Sequence, residues 1–274
     1  MSAPVVIAAF YKFTPLPDFR DIQKPLRAFC EDHNMRGTIL LAAEGINGTI
    51  AGSRQDMDAV LAYIRQDERL ADMPHKESTA DSQPFRKMKV RLKREIVTLG
   101  EKVDPNERVG TYVDPQKWND LIADPDVILI DTRNSYEYEV GTFKGATDPL
   151  TDSFGEFPAY VHQQLADHKD KKIAMFCTGG IRCEKATSLL LKEGFNEVYH
   201  LQGGILSYLE QVPQDQSLWE GDCFVFDERI TVTHDLQPGH VQFCRHCNRV
   251  VPEDENACPH CDQPIAQGQL PTES

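Results

Sequence analysis

Apolar positions in the first hundred residues change period several times. Residues 5–10, Val5-Val6-Ile7-Ala8-Ala9-Phe10, form a β-rich run that predicts a strand. From 18 to 34, Phe19, Ile22, Leu26 and Phe29 recur at helical spacing, with Asp18 after Pro17 placed as the cap. Residues 38–43 and 46–51 are two short apolar runs joined through the turn-prone Glu44-Gly45 and Asn47-Gly48 region. Ser53 is placed to cap a second helix through Met57, Val60, Leu61 and Ile64, and residues 87–97 alternate as a closing strand. The order β-α-β-β-α-β is that of a split, ferredoxin-like α+β domain.

The pattern then changes. Asp104-Pro105 and Asp114-Pro115 mark a linker. Beyond it, residues 127–130 and 173–176 are continuous apolar runs, as expected of strands covered on both faces. Helical patterns follow at 157–166 and through Ala186, Leu189 and Leu190 up to Gly194, and Val198-Tyr199 is a further strand. Alternating strands and helices predict a mostly parallel, doubly wound α/β sheet. The expected division is an N-terminal domain at 1–98, a linker at 99–118, the α/β domain at 119–213 and a C-terminal segment at 214–274, with a disordered polar tail from about 264.

Composition narrows the setting. A chain of 274 residues, 40% apolar and 26% charged, suits about two globular domains. No apolar run is long enough to span a bilayer, and the start lacks the basic region of a signal peptide, so no membrane partner and a cytoplasmic location are expected. The eight cysteines are clustered rather than spread as a disulfide framework, which also fits a reducing compartment. The net charge of −14 argues against coating DNA or RNA by bulk attraction, and no DNA partner is expected. One stretch reverses that sign: Arg86, Lys87, Lys89, Arg91, Lys93 and Arg94 fall in a run with no acidic residue. Alternation sets Lys87, Lys89, Arg91 and Lys93 against Met88, Val90 and Leu92, a cationic stripe suited to RNA phosphates or, alternatively, a lysine-protected sheet edge. Nothing in the sequence fixes an oligomeric state.

The chemistry concentrates at Cys177. The strand at 173–176 leads into Cys177-Thr178-Gly179-Gly180-Ile181-Arg182 and then a helix. Glycines let successive N–H groups turn inward, the helix N-terminus adds partial positive charge, and Arg182 adds a permanent one. These features favour a nucleophilic thiolate on Cys177 over a merely buried cysteine at a strand end. Four residues separate Cys177 from Arg182, one fewer than in the cysteine phosphatase loop, so the cradle is small for a phosphate monoester. Cys183 is a candidate resolving thiol or a core side chain; Cys30 and Cys223 read as core. No dinucleotide fingerprint and no two-His-one-carboxylate iron triad is evident, so no nucleotide cofactor is expected.

This loop resembles the active loop of rhodanese domains. Asp131-Thr132-Arg133, Glu137, Gly145-Ala146 and the run from Val198 through Gly203-Gly204-Ile205 resemble other elements of that family. Glu44-Gly45-Ile46-Asn47-Gly48-Thr49, the Cys177 loop extended to Cys183-Glu184-Lys185, and Gly221-Asp222-Cys223-Phe224-Val225-Phe226-Asp227 occur in that order. The combination is similar to the rhodanese-family tRNA uridine hydroxylases. That resemblance implies a tRNA substrate, molecular oxygen as co-substrate, 5-hydroxyuridine at the wobble position as product, and Cys177 as the catalytic cysteine. A persulfide-carrying sulfurtransferase and a non-catalytic RNA-binding module remain the alternatives.

The C-terminal segment carries Cys244-x-x-Cys247 and Cys258-x-x-Cys261, ten residues apart, which reads as a closed four-cysteine structural zinc site.

Overall fold

The structure, a computed structural model, describes residues 4–244, 246–247 and 249–265. Most of the tail read as disordered lies outside those residues; Pro264 itself bridges to Ala257. The chain forms two compact units, 1–108 and 109–274.

The first unit contains β1 (Val5–Phe13), α1 (Phe19–Asp32), β2 (Arg36–Ala42), β3 (Gly45–Gly52), α2 (Arg54–Ile64), β4 (His75–Ala80) and β5 (Met88–Leu92). Its sheet runs β4-β1-β3-β2-β5, antiparallel except where β5 joins β2 in parallel. Val6, Phe10, Ile39 and Ile50 from the sheet and Leu26, Cys30, Met57 and Val60 from the helices share one core. Ser53 caps α2 by accepting the Asp56 N–H at 3.1 Å. Asp18 heads α1 without a side-chain cap, because its carboxylate is taken by Arg69.

Two features differ from the sequence reading. β4, with the sequence His75-Lys76-Glu77-Ser78-Thr79-Ala80, has no apolar alternation to reveal it and is held by main-chain pairing along β1. The basic run is therefore a fifth strand at the opposite edge, and it ends at Leu92 instead of continuing to 97. Beyond it the main chain finds side-chain partners. The Ile96 N–H donates to the Glu44 carboxylate at 2.7 Å, and Asn47 Nδ2 donates to the Ile96 carbonyl at 3.0 Å.

The second unit opens with β6 (Thr111–Val113) and α3 (Pro115–Ile122), both starting inside the stretch read as linker. Asp114-Pro115 is a helix start: Pro115 occupies the first turn, and the Asp114 carboxylate accepts the Gln116 N–H at 2.9 Å. Then follow β7 (Val127–Asp131), α4 (Ser135–Tyr138), β8 (Gly141–Phe143), α5 (Phe157–Tyr160), β9 (Lys172–Phe176), α6 (Ile181–Lys192), β10 (Glu197–Leu201) and α7 (Gly204–Gln211). The helical pattern at 157–166 is one regular turn continued by a wider turn at 161–165. The main sheet is parallel throughout, in the order β6-β10-β9-β7.

The segment after 213 pairs and packs with the α/β domain. β11 (Trp219–Gly221) pairs with β8, and β12 (Cys223–Phe224) pairs with β13 (Thr231–Val232). Trp219, Cys223, Val225 and Val232 lie in the same core as Phe143, Phe176 and Tyr208, so this segment completes the α/β body. β14 (Val241–Phe243) and β15 (Val250–Pro252) form a last small hairpin.

Candidate active site: the Cys177 loop and its supports

Ile173 to Phe176 are fully buried, and the parallel sheet delivers Cys177 at the carboxyl end of β9, where such sheets place their ligands. The chain reverses at Gly180, whose φ of 102° favours glycine, and α6 starts at the next residue. The Gly180 N–H points at Cys177 Sγ across 3.2 Å. Behind the loop, the N–H groups of Ile205 and Leu206, in the first turn of α7, donate to the carbonyls of Cys177 and Thr178 at 3.0 and 3.1 Å. That close approach requires Gly204, since a Cβ there would lie 2.4 Å from the Cys177 carbonyl oxygen. Cys177 is 1% exposed, whereas Thr178, Gly179 and Ile181 beside it are half-buried.

Arg182 does not reach the sulfur as a free cation. It forms a two-pronged ion pair with Glu137, Nη1 to Oε2 at 2.6 Å and Nη2 to Oε1 at 2.8 Å. Glu137 is fully buried and also accepts the Asn134 N–H at 3.1 Å, as the acid of a capping box on α4. The Asn134-x-x-Glu137 spacing signals the capping box in the sequence, whereas the pairing of Glu137 with Arg182 has no local signal. Asp131 and Arg133 form a second buried pair, with Arg133 also donating to the Gly141 carbonyl at 2.6 Å, so they brace the base of the loop.

Burial by itself would raise the Cys177 thiol. The Cys183 thiol, the Arg182 charge and the N–H groups of Cys183 and Gly180 outweigh it and bring Cys177 down to about 6. Cys183 moves the opposite way, well above an ordinary thiol, because burial and then the neighbouring Cys177 disfavour its anion; Thr132 Oγ1 lies 3.5 Å from its sulfur. Burial pushes Cys30 and Cys223 up to about 12. Among these four buried cysteines, Cys177 alone has an environment built for a thiolate.

On β5, Arg91 is exposed and Lys89 half-buried, with Arg86 and Lys87 exposed just before the strand and Lys93 and Arg94 exposed just beyond it. Met88 and Val90 face the core. At the C-terminus, Cys244, Cys247, Cys258 and Cys261 bring their sulfurs within 4.8 Å of one another.

A UPF0176 acylphosphatase-like domain matches residues 5–96, and a rhodanese-like domain matches residues 114–211. The chain is 55% identical over 266 residues to a tRNA uridine(34) hydroxylase of Picosynechococcus, covering 93% of this chain and 89% of that one. The chain belongs to the tRNA uridine(34) hydroxylase family. Solved structures with partial likeness include a rhodanese-like domain from Anabaena, at 20% identity over 40% of this chain and 78% of that one, TM-score 0.33. A rhodanese-related protein from Thermoplasma volcanium matches at 20% identity over 37% of this chain and 93% of that one, TM-score 0.31.

In this family member the cysteine cluster can hold a metal ion such as zinc. Cys244–Cys261 and Cys247–Cys258 are each 3.6 Å apart, close to the roughly 3.8 Å that tetrahedral Zn–S bonds of about 2.3 Å would give. Four thiolates would leave no open coordination position, so a metal held there would serve a structural role. Within the same C-terminal segment Phe243 meets Phe224, which meets Tyr136 of α4, and Arg249 lies 3.6 Å from Glu139, just past α4. The purified chain should bind about one zinc, and cobalt substitution should give the absorption of a tetrahedral thiolate site. Cys258→Ser should abolish both, and an unchanged zinc content in that variant would exclude the site.

Proposed function

We propose that this chain hydroxylates C5 of the wobble uridine of tRNA in the cytoplasm, using the Cys177 thiolate as nucleophile and molecular oxygen as oxidant. The observation that carries this reading is the lowered Cys177 thiol in a rhodanese loop of a chain from the tRNA uridine(34) hydroxylase family. The Cys177 sulfur adds to C6 of uracil, and the C5–C6 π pair moves toward C5 and the O4 carbonyl. C5 becomes electron-rich and takes one oxygen atom. The second oxygen atom leaves as water, with two electrons and two protons drawn from an external thiol-class reductant. Loss of the C5 proton and departure of the Cys177 thiolate restore the ring. The inward N–H groups and Arg182, steadied by Glu137, stabilise the sulfur anion at the start and the end of this cycle. Cys183 assists by donating to the Cys177 sulfur, and its raised thiol keeps that proton in place near neutral pH.

In a strain lacking the gene, wild-type chain should restore 5-hydroxyuridine in tRNA and Cys177→Ser should not, as read by nucleoside mass spectrometry. Full restoration by Cys177→Ser would overturn the assignment. The rhodanese loop also favours a second reading, a sulfurtransferase holding a persulfide on Cys177. Thiocyanate formation from thiosulfate and cyanide with no change in tRNA nucleosides would select it.

The cationic stripe on β5 serves the same reading as a phosphate-binding edge. Replacing Lys87, Arg91 and Lys93 together with alanine should weaken tRNA binding. It should also flatten the dependence of log K on log salt by about 2, at roughly 0.7 per lost single-strand phosphate contact. An unchanged slope would show that the stripe only protects a sheet edge.

A further inference from the structure

Among the described residues, Phe226 and Leu150 are the most exposed of the large apolar side chains, at 64% and 81%. Phe226 stands on a loop built to stay still. The Val225 N–H donates to the Ile230 carbonyl at 2.8 Å, and the Ile230 N–H donates to the Asp227 carbonyl at 3.0 Å. Inside the loop, Asp227 and Arg229 form a two-pronged pair with contacts of 2.8 and 2.6 Å, their side chains only 3% and 9% exposed. Ile230 closes it at a φ of 63°, a conformation that a β-branched residue adopts only when its surroundings impose it. A buried ion pair and a strained backbone are thus spent on holding out a phenyl ring that buries little of its own surface.

The ring is also oriented. Phe226 meets Phe224 edge-on, 5.2 Å between centroids at 76°, and Phe224 meets Tyr136 of α4 in the same way at 5.3 Å and 78°. Tyr136 is followed in sequence by Glu137, which grips Arg182 of the Cys177 loop. The exposed ring is therefore linked to the supports of the reactive sulfur by two ring contacts and the Tyr136–Glu137 peptide. Its charged loop neighbours Asp227 and Arg229 neutralise each other, and Glu228 is exposed on the same loop. That surface suits neither a phosphate nor a membrane. A flat, rigid, uncharged aromatic face suits a π-stacked base, and unpaired bases in RNA loops are recognised this way.

We propose that Phe226 is the stacking platform for the unpaired base next to the reacting uridine, a positioning residue that seats the RNA loop over the Cys177 site. This rests on the RNA-modifying function proposed above. Tyr136 and Phe224 act through Phe226 by fixing its plane. Phe226 does no chemistry, so it contributes to RNA affinity and register and leaves the bound-state rate nearly untouched.

The test uses the full chain and an anticodon stem-loop RNA oligonucleotide, with wild type, Phe226→Ala, Phe226→Leu and Phe226→Trp compared by titration and by single-turnover hydroxylation. Phe226→Ala should bind about 5- to 150-fold more weakly, the range that base–aromatic stacking gives. Its rate at saturating RNA should be close to wild type and its thermal melting unchanged. Phe226→Leu, equally apolar but without a π face, should lose affinity in the same way. Phe226→Trp should retain affinity, and its added indole emission should be quenched when RNA binds. Wild-type affinity in Phe226→Ala or in Phe226→Leu overturns the proposal while leaving the enzymatic reading intact. Self-association that Phe226→Ala abolishes with no change in RNA affinity would assign the ring to a second copy and overturn it equally. A wild-type chain that neither binds nor modifies the RNA would overturn the parent reading and this one together.

Discussion

Burying a negative sulfur is costly unless charge and N–H groups converge on it, and the second unit of this protein is arranged around that requirement. Asp131 with Arg133, and Glu137 with Arg182, are ion pairs taken almost completely out of water. Such pairs are poor sources of net stability and become strongly destabilising when one partner is removed. Their return here is position. Glu137 fixes Arg182 at the start of α6, so its charge acts on Cys177 without collapsing onto the sulfur. With the Cys183 thiol as the largest lowering influence and the Arg182 charge next, the Cys177 thiol falls to about 6 despite its burial. Because the folded thiol is depressed, its contribution to stability is complete above the unfolded value near 9 and is lost as the pH falls through about 6.

Other parts of the unit follow from that arrangement. Gly204 is bare because α7 must approach the Cys177 carbonyl, and Gly180 is left-handed because α6 must begin at once. Arg133 lies 5.2 Å from the Trp219 ring, which ties the paired base of the loop to β11. The segment after α7 therefore belongs to the site's foundation. The cysteine-cluster segment reaches the neighbourhood of α4, which presents Glu137, through Phe243 against Phe224 and Arg249 beside Glu139.

Legibility in the sequence tracked how each residue earns its place. Cys177, its glycines and Arg182 were visible because loop chemistry needs those residue types in that order. The four clustered cysteines at 244, 247, 258 and 261 were visible through their spacing. β4 was hidden because main-chain pairing, not side-chain burial, holds its polar sequence in the sheet. β6 and the first half of α3 were read as linker because Asp114-Pro115 looks like a break and acts as a helix start. The ion pair between Glu137 and Arg182 spans 45 positions, a separation that no local pattern reports. The same holds for the aromatic row from Tyr136 through Phe224 to Phe226, which only the fold assembles.

The central claim is that the loop holds Cys177 as a thiolate at neutral pH. It is tested most directly by alkylating the native chain with iodoacetamide across a pH series and following the Cys177 peptide by mass spectrometry. The account predicts a rate that rises with pH to half its plateau near pH 6, because only the thiolate reacts and its thiol is depressed to about 6. A Cys177 profile that stayed flat through neutrality and rose only toward pH 9, as for an unperturbed thiol, would contradict it.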